Sequence, residues 1–337
     1  MNETKKESFV KRFFSMNGAA VLVATIALIF LFEIILQLTR SNTGGLIFMT
    51  ADNLMSILRK QVYVGIIAFG LTLVMITGNI DLSVGNMLTF LCCIAAIIVM
   101  KTDNAFLGIV GTILLGGVCG LLNGVLVSYM KLNSFITTLG TSSIFSALAL
   151  IVSAGTVLVI PNDCTAAFSF VGTFSLGPIH ILIIWFVLVA VLLGLVLSKT
   201  VYGQQLYMIG ANPIAARVSG VPSKRNTTLA YVITGLTVGL AAVIMMANVK
   251  SSNPQSGSGK EMDIILAVVV GGVSVAGGKG SVWGTIIGVL FSGVLSSGFT
   301  ALNMSTYLQW VVMGFILVAV LGMDVMNAKG VKLWKKK

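Results

Sequence analysis

Charge is what this sequence has least of. Only 9% of its 337 residues are Asp, Glu, Lys or Arg, against about 25% in an ordinary soluble domain. A water-soluble fold of this length could not cover its surface with polar groups from such a supply. Histidine is nearly absent: His180 stands alone, which excludes a multi-histidine metal centre. The cysteines are Cys92, Cys93, Cys119 and Cys164. Three lie in apolar runs and none has zinc-type spacing, so packing is their role rather than a disulfide framework or a metal site. A phosphate-binding loop is missing as well. The pattern G-x-x-x-x-G-K-[ST] comes nearest at Gly278-Lys279, but Gly280 follows and Val273 occupies the position of the first glycine. No catalytic triad or nucleotide fingerprint stands elsewhere in the chain.

What the chain has is apolar length. Hydrophobic residues make up 57% of it, and the mean hydropathy is +1.03. A bilayer span needs about 20 mostly apolar residues. Runs of this kind lie at roughly 17–38, 61–77, 85–100, 105–129, 134–152, 179–198, 228–248, 263–276, 281–300 and 305–323. The expected fold is all-α, a polytopic transmembrane helical bundle of about ten spans in the lipid bilayer. Residues 41–60 are expected to hold a separate short helix at the membrane surface. The first run contains Glu33, is long, and lacks an A-x-A-like site at its end, so we read it as a retained span and not a cleaved signal peptide.

The net charge of +11 is gathered in three places. Lys5, Lys6, Lys11 and Arg12 precede the first span. Lys329, Lys332, Lys335, Lys336 and Lys337 follow the last. Lys199, Arg217, Lys224 and Arg225 fall in the loop 199–227. The positive-inside rule places all three in the cytoplasm, and an even span count agrees. The segment 153–178, with no Lys or Arg, then lies outside. We read the whole chain, 1–337, as one transmembrane domain, with 1–16 and 324–337 as cytoplasmic tails. Basic residues arranged this way indicate membrane orientation and not a nucleic-acid partner.

Two stripes of small residues repeat every four positions. One is Gly108, Thr112, Gly116, Gly120, Gly124 and Ser128; the other is Gly280, Gly284, Gly288, Ser292 and Ser296. Each lies along one helix face, where small residues let helix backbones approach closely. Ordinary bundle packing accounts for them, and so does a seam between subunits.

Three stretches depart from plain spans. Thr77-Gly78-Asn79-Ile80-Asp81-Leu82-Ser83-Val84-Gly85 interrupts two apolar runs. Irregular backbone at membrane depth survives only in protein or along a cavity, and an acidic residue there is a functional candidate. A helix cap at the membrane edge explains Asp81 or Ser83 equally well. The stretch Tyr202–Val221 contains Asn212 as a helix cap, Pro213 at the first helical position and Gly220 as terminator. It would form a short helix facing the cytoplasm, either a plain link between two spans or, with Ala215 and Ala216 as a small face, a helix that docks into a partner's groove. The third stretch joins Glu261-Met262-Asp263 to an apolar run and then to Gly271–Ser281, rich in glycine.

At these stretches the sequence resembles the permease family of bacterial ribose, galactose and xylose ABC importers. The family's G-G-I-D-L-S-V-G reads here Gly78-Asn79-Ile80-Asp81-Leu82-Ser83-Val84-Gly85. Its N-G-x-(L/V)-(I/V) and P-F-I-x-T-L-G segments read Asn123-Gly124-Val125-Leu126-Val127 and Ser134-Phe135-Ile136-Thr137-Thr138-Leu139-Gly140. Tyr202–Gly220 and Glu261–Thr285 match its two remaining motifs, and the likeness runs from about Asn53 to Met323. Asn79 and Ser134 depart from the usual Gly and Pro, and Ile214 stands where many relatives have Glu.

The resemblance implies a permease subunit of a multi-pass bacterial cell membrane transporter that moves a monosaccharide. It implies a second permease copy or homologue, an extracytoplasmic sugar-binding protein, and a separate ATPase subunit that holds the ATP and Mg; this chain would bind no cofactor. On this likeness Asn79, Asp81, Ser83, Asn123, Phe135 and Thr137 are pathway candidates. Gly210, Asn212, Ala215, Ala216, Arg217, Ser219 and Gly220 would belong to the helix that couples to the ATPase.

Two other classes compete. A secondary carrier would want ion-coupling carboxylates, and Glu33, Asp81 and Asp263 are the few available. An intramembrane enzyme would want a paired-carboxylate or nucleophile constellation, which the spans lack. The missing phosphate loop predicts that the purified chain, free of other subunits, hydrolyses no ATP. A phosphate-release assay showing turnover by this polypeptide alone would contradict it.

Overall fold

The computed structural model describes residues 18–39, 45–161, 166–177 and 179–328. Cys164 and the basic residues of both tails, up to Arg12 and from Lys329, lie outside them. The described residues form helices joined by turns and loops, with four two-residue strands, β1 (Leu158–Val159), β2 (Ser175–Leu176), β3 (Ile179–His180) and β4 (Ser251–Ser252). We number the long helices α1 (Ala19–Thr39), α2 (Ala51–Ile76), α3 (Val84–Thr102), α4 (Ala105–Ser128) and α5 (Ser134–Val152). Next come α6 (Ala166–Thr173), α7 (Ile181–Lys199), α8 (Val201–Ala211), α9 (Pro213–Val218) and α10 (Ser223–Val249). The chain ends with α11 (Lys260–Val270), α12 (Val282–Ala301) and α13 (Thr306–Ala328).

Side-chain caps explain where many of these helices begin. Asn104 Oδ1 accepts from the Leu107 amide at 3.1 Å, and Asn133 Oδ1 from Phe135 at 3.0 Å. His180 caps α7 through Nδ1, which accepts from Leu182 at 3.3 Å. Ser281 Oγ accepts from Gly284 at 3.0 Å and starts α12. Each bond satisfies an amide that helical geometry leaves without a partner.

Nine of the described helices are long and apolar enough to cross a membrane: α1 to α5, α7, α10, α12 and α13. They sort into two layers by burial. The most apolar window of α2 is 72% buried, while that of α13 is 6% buried. Helices α2, α3, α10 and α12 form the inner layer. The outer helices expose large apolar side chains such as Leu188, Leu192, Phe315 and Val318, as a lipid-facing surface requires.

The expected span at 263–276 is not a full-length helix. α11 has 11 residues, about 16 Å at 1.5 Å per residue, roughly half the hydrocarbon thickness. The chain nevertheless travels the length of the bundle here. Before α11, strand β4 (Ser251–Ser252) pairs with β1 (Leu158–Val159), beyond the end of α5. After it, Gly277 and Gly278 meet Gly78, Gly210 and Ala211 at the opposite end. Turn segments on both sides complete a tenth passage. Positive φ at Gly272, Gly277 and Gly278 is why the helix cannot continue. The surface helix expected before the second span is corrected too. α2 runs unbroken from Ala51, because Arg59, Lys60 and Gln61 lower the hydropathy without interrupting helical geometry.

Both small-residue stripes pack within the chain. A methyl group added at Gly116 or Gly120 would overlap the Gly235 or Tyr231 carbonyl of α10. One at Gly284 or Gly288 would overlap the Gly271 or Ala267 carbonyl of the α11 segment. Glu33 is buried and fully used. Its carboxylate accepts from the amides of Ile47, Phe48 and Met49 at 3.0, 2.7 and 2.8 Å, and from Gln37 Nε2 at 2.7 Å. It ties the chain ahead of α2 to α1.

Leucine at Gly288 should drive α11 from α12, an overpacking cost of about 3 kcal/mol or more. Gly322→Leu, where no neighbouring atom approaches within 4 Å, should be tolerated. Yield and thermal melting of the two detergent-purified variants compare them directly.

Candidate functional site

Residues 77–83 leave helical geometry between α2 and α3, and neighbouring side chains take up the exposed polar groups. Asp81 Oδ1 accepts from the Ser83 amide at 2.9 Å and from Ser83 Oγ at 2.6 Å. Asn123 of α4 donates through Nδ2 to Ser83 Oγ at 2.8 Å. The Leu82 amide donates to Thr138 Oγ1 of α5 at 3.0 Å, and the Ile80 amide to Ser134 Oγ at 3.4 Å. Tyr231 of α10 donates its hydroxyl to the Ile80 carbonyl at 3.0 Å. Asp81, Ser83 and Asn123 are fully buried. Asp81 is thus a turn-forming residue inside the bundle and not a cap at an exposed edge.

Of the pathway candidates, the structure brings Asp81, Ser83 and Asn123 into this one knot. Asn79 flanks it, donating to Thr77 Oγ1 at 2.9 Å. Phe135 is exposed, and Thr137 is half-buried with its hydroxyl bonded back to the Asn133 carbonyl at 2.8 Å. These two belong to the outward side of α5 and do not join the knot.

A cavity of about 330 Å³ lies elsewhere, between α2 and α3 on one side and α11 and α12 on the other. None of the pathway candidates lines it. Its polar wall includes Gln61, Tyr63, Lys260, Asp263, Ser292 and Ser296, over an apolar floor of Val64, Ile67 and Leu88. Lys260 Nζ stands 3.7 Å from Asp263 Oδ2. Gln61 Nε2 donates to Ser292 Oγ at 3.1 Å across the cleft between α2 and α12. Nearer the junction of the helices, Thr72 and Thr285 share a buried hydrogen bond at 2.8 Å. Tyr63 accepts from Asn248 Nδ2 at 2.7 Å, which puts the cavity in the half of the bundle near β4. A concave site of this size with a few convergent polar groups is of the kind small molecules bind. The sequence signal was faint: Ser292 and Ser296 end the second stripe, and Gln61 follows Arg59 and Lys60 at what looks like the edge of an apolar run.

At the other end, α8 and α9 form a hairpin. Asn212 Oδ1 accepts from the amides of Ile214 and Ala215 at 3.1 and 3.0 Å, and Pro213 opens α9, as the sequence indicates. Gly220 has φ +77° and follows the C-cap Ser219. Gly210 lies at the base of the hairpin against the Ile76 carbonyl. The face that α9 presents is different from the one expected. Ala216 is 1% exposed and packs on Ile209 and Val221 of its own chain, whereas Ile214 and Val218 are 78% and 84% exposed. The outward surface is therefore Ile214, Ala215, Arg217 and Val218.

The family described as the permease component of branched-chain amino acid transport systems matches residues 53–321. The chain belongs to this permease family. It is a multi-pass membrane protein, and the match spans the inner layer, the cavity and the hairpin alike. Among its relatives, the ribose import permease protein of Bacillus subtilis is 36% identical over 81% of this chain and 85% of its own. The ribose import permease protein of Escherichia coli K12 is 33% identical over 92% and 96%. The L-arabinose ABC transporter permease of Azospirillum brasilense is 34% identical over 80% and 79%. No solved structure matches the chain. Among the described residues, no group of His, Cys, Asp and Glu could hold a metal ion.

The knot predicts a stability effect. Asp81→Ala leaves the buried Ser83 amide and hydroxyl without an acceptor, a loss of about 2–4 kcal/mol. A lowered thermal melting point of the purified variant, against an unchanged one for Phe135→Ala, checks it.

Proposed function

We propose that the chain is the membrane-spanning subunit of an ATP-driven importer of a monosaccharide in the bacterial cell membrane. The likeness to sugar import permeases carries this reading, and the cavity between α2, α3, α11 and α12 is of a size to admit a small solute. Its hydroxyls, amide and ion pair offer donors and acceptors on several sides, as a polyhydroxylated solute requires. Relatives that import ribose and arabinose favour the sugar.

On this reading both termini and the α8–α9 hairpin are cytoplasmic, in line with Lys199, Arg217, Lys224 and Arg225 at that end. A separate ATPase holds ATP and Mg and docks on Ile214, Arg217 and Val218. An extracytoplasmic sugar-binding protein delivers cargo to the opposite end, and a second permease copy or homologue completes the transporter. ATP favours one ATPase conformation over another, and that differential affinity shifts the permease between outward- and inward-facing forms. The cavity need hold cargo only weakly, since tight binding would slow its release.

Reconstitution with the ATPase and the binding protein in proteoliposomes tests the proposal. ATP-dependent uptake of ribose, arabinose or allose is expected, with leucine excluded. In the same assay Gln61→Ala should lower uptake about tenfold, through loss of a hydrogen bond and of the cleft's bridging pair. Uptake of leucine instead, or sugar uptake by the chain alone under a proton gradient, would overturn the reading.

A further inference from the structure

The hairpin meets the bundle main chain to main chain. At Gly210, near the end of α8, an added methyl group would overlap both the Ile76 carbonyl and the Gly278 amide. Gly277 and Gly278 have φ of +87° and +73°. A side chain at the first would meet the Gly78 backbone at 2.8 Å, and one at the second the Ala211 backbone at 2.8 Å. The Gly278 amide donates to the Ile76 carbonyl at 2.8 Å. Tyr207 of α8 donates its hydroxyl to the Gly280 carbonyl at 2.7 Å. Three segments therefore converge: the end of α2, the end of α8 and the glycine loop that follows α11.

Contacts of this kind have no compliant side chains between them. A packed interior transmits displacement instead of absorbing it, so a shift of α8 must carry its partners along or break these hydrogen bonds. The partners lead straight to the cavity. Ile76 ends the helix that carries Gln61 and Tyr63. The glycine loop continues from the half-helix that carries Asp263 and from the α11–α12 seam. Its far side is held by Asp324 of α13, whose Oδ2 accepts from Ser274 Oγ and the Val275 amide at 3.0 and 3.1 Å. Both walls of the cavity thus have their inner ends in this one junction. The Gln61–Ser292 and Thr72–Thr285 pairs cross the divide between the same walls.

We propose that Tyr207 and Gly210 are positioning residues for transport. They join the α8–α9 hairpin to both cavity walls, so that movement imposed on α9 opens and closes the cleft between α2 and α11–α12. The inference rests on the reading of α9 as the ATPase-facing helix. It names a route distinct from the neighbouring helices α7 and α10, along which Tyr207 and Gly210 would be immaterial.

The test uses the complete importer in proteoliposomes, with ribose, arabinose and allose as probes, and reads sugar imported per ATP hydrolysed. Tyr207→Phe keeps the ring and removes only the bond to Gly280. Its ratio should fall about fivefold, the worth of one hydrogen bond, with ATP hydrolysis continuing. Gly210→Ala should lower the ratio further. Met208→Ala, on the exposed side of α8, should match the wild type. A wild-type ratio in Tyr207→Phe overturns the proposal, whether or not Gly210→Ala assembles. Failure of the wild-type complex to import any of the three sugars on ATP overturns the functional reading instead. The two failures are therefore told apart by the wild-type lane.

Discussion

Everything in this bundle answers to one constraint: backbone that leaves helical geometry inside it has no water to bond to. The chain does so between α2 and α3 and again on either side of α11. At the first break, Thr138 and Ser134 of α5 and Tyr231 of α10 reach in to satisfy Leu82 and Ile80. At the second, the partners are other backbones, and glycine is required because only hydrogen fits between them. The same demand explains Glu33, whose carboxylate collects three consecutive amides ahead of α2. Polar residues are scarce in this chain, and many of those in its interior face a place where the helix has stopped.

That economy bears on mechanism. A carrier driven by an ion gradient needs a carboxylate free to take up and release its ion. Glu33 is committed to backbone amides, Asp81 to Ser83, and Asp263 stands beside Lys260. Glu33 and Asp263 thus have structural partners for their charge, whereas Asp81 is held through Oδ1 alone and its buried Oδ2 has none. The proposed ATP-driven reading asks no ion-coupling role of these carboxylates.

The spans were legible because length and hydropathy are additive along the chain, and the Asn212-Pro213 cap because it is local. What escaped depended on features that hydropathy does not register. The run 263–276 is apolar throughout its middle, yet φ at Gly272 and Gly277 ends the helix early. Arg59, Lys60 and Gln61 looked like a boundary and are an uninterrupted part of α2. The cavity was illegible for another reason: Gln61, Asp263 and Ser292 come from distant parts of the chain and meet only through the α11–α12 seam. The knot was half legible, since Asp81 and Ser83 are adjacent while their partner Asn123 is not.

The inward turn of Ala216 shows how such details alter function. A six-residue helix has too few turns for its sequence to reveal which side is buried; Ile209 and Val221 decide it. With Ala216 used inside, the exposed ridge is Ile214 and Val218, one turn apart, with Arg217 beside them. On the proposed reading, a partner docking on this ridge would bury mainly apolar surface, with one cation at its side, and would meet the hairpin a few residues from the main-chain junction at Gly210.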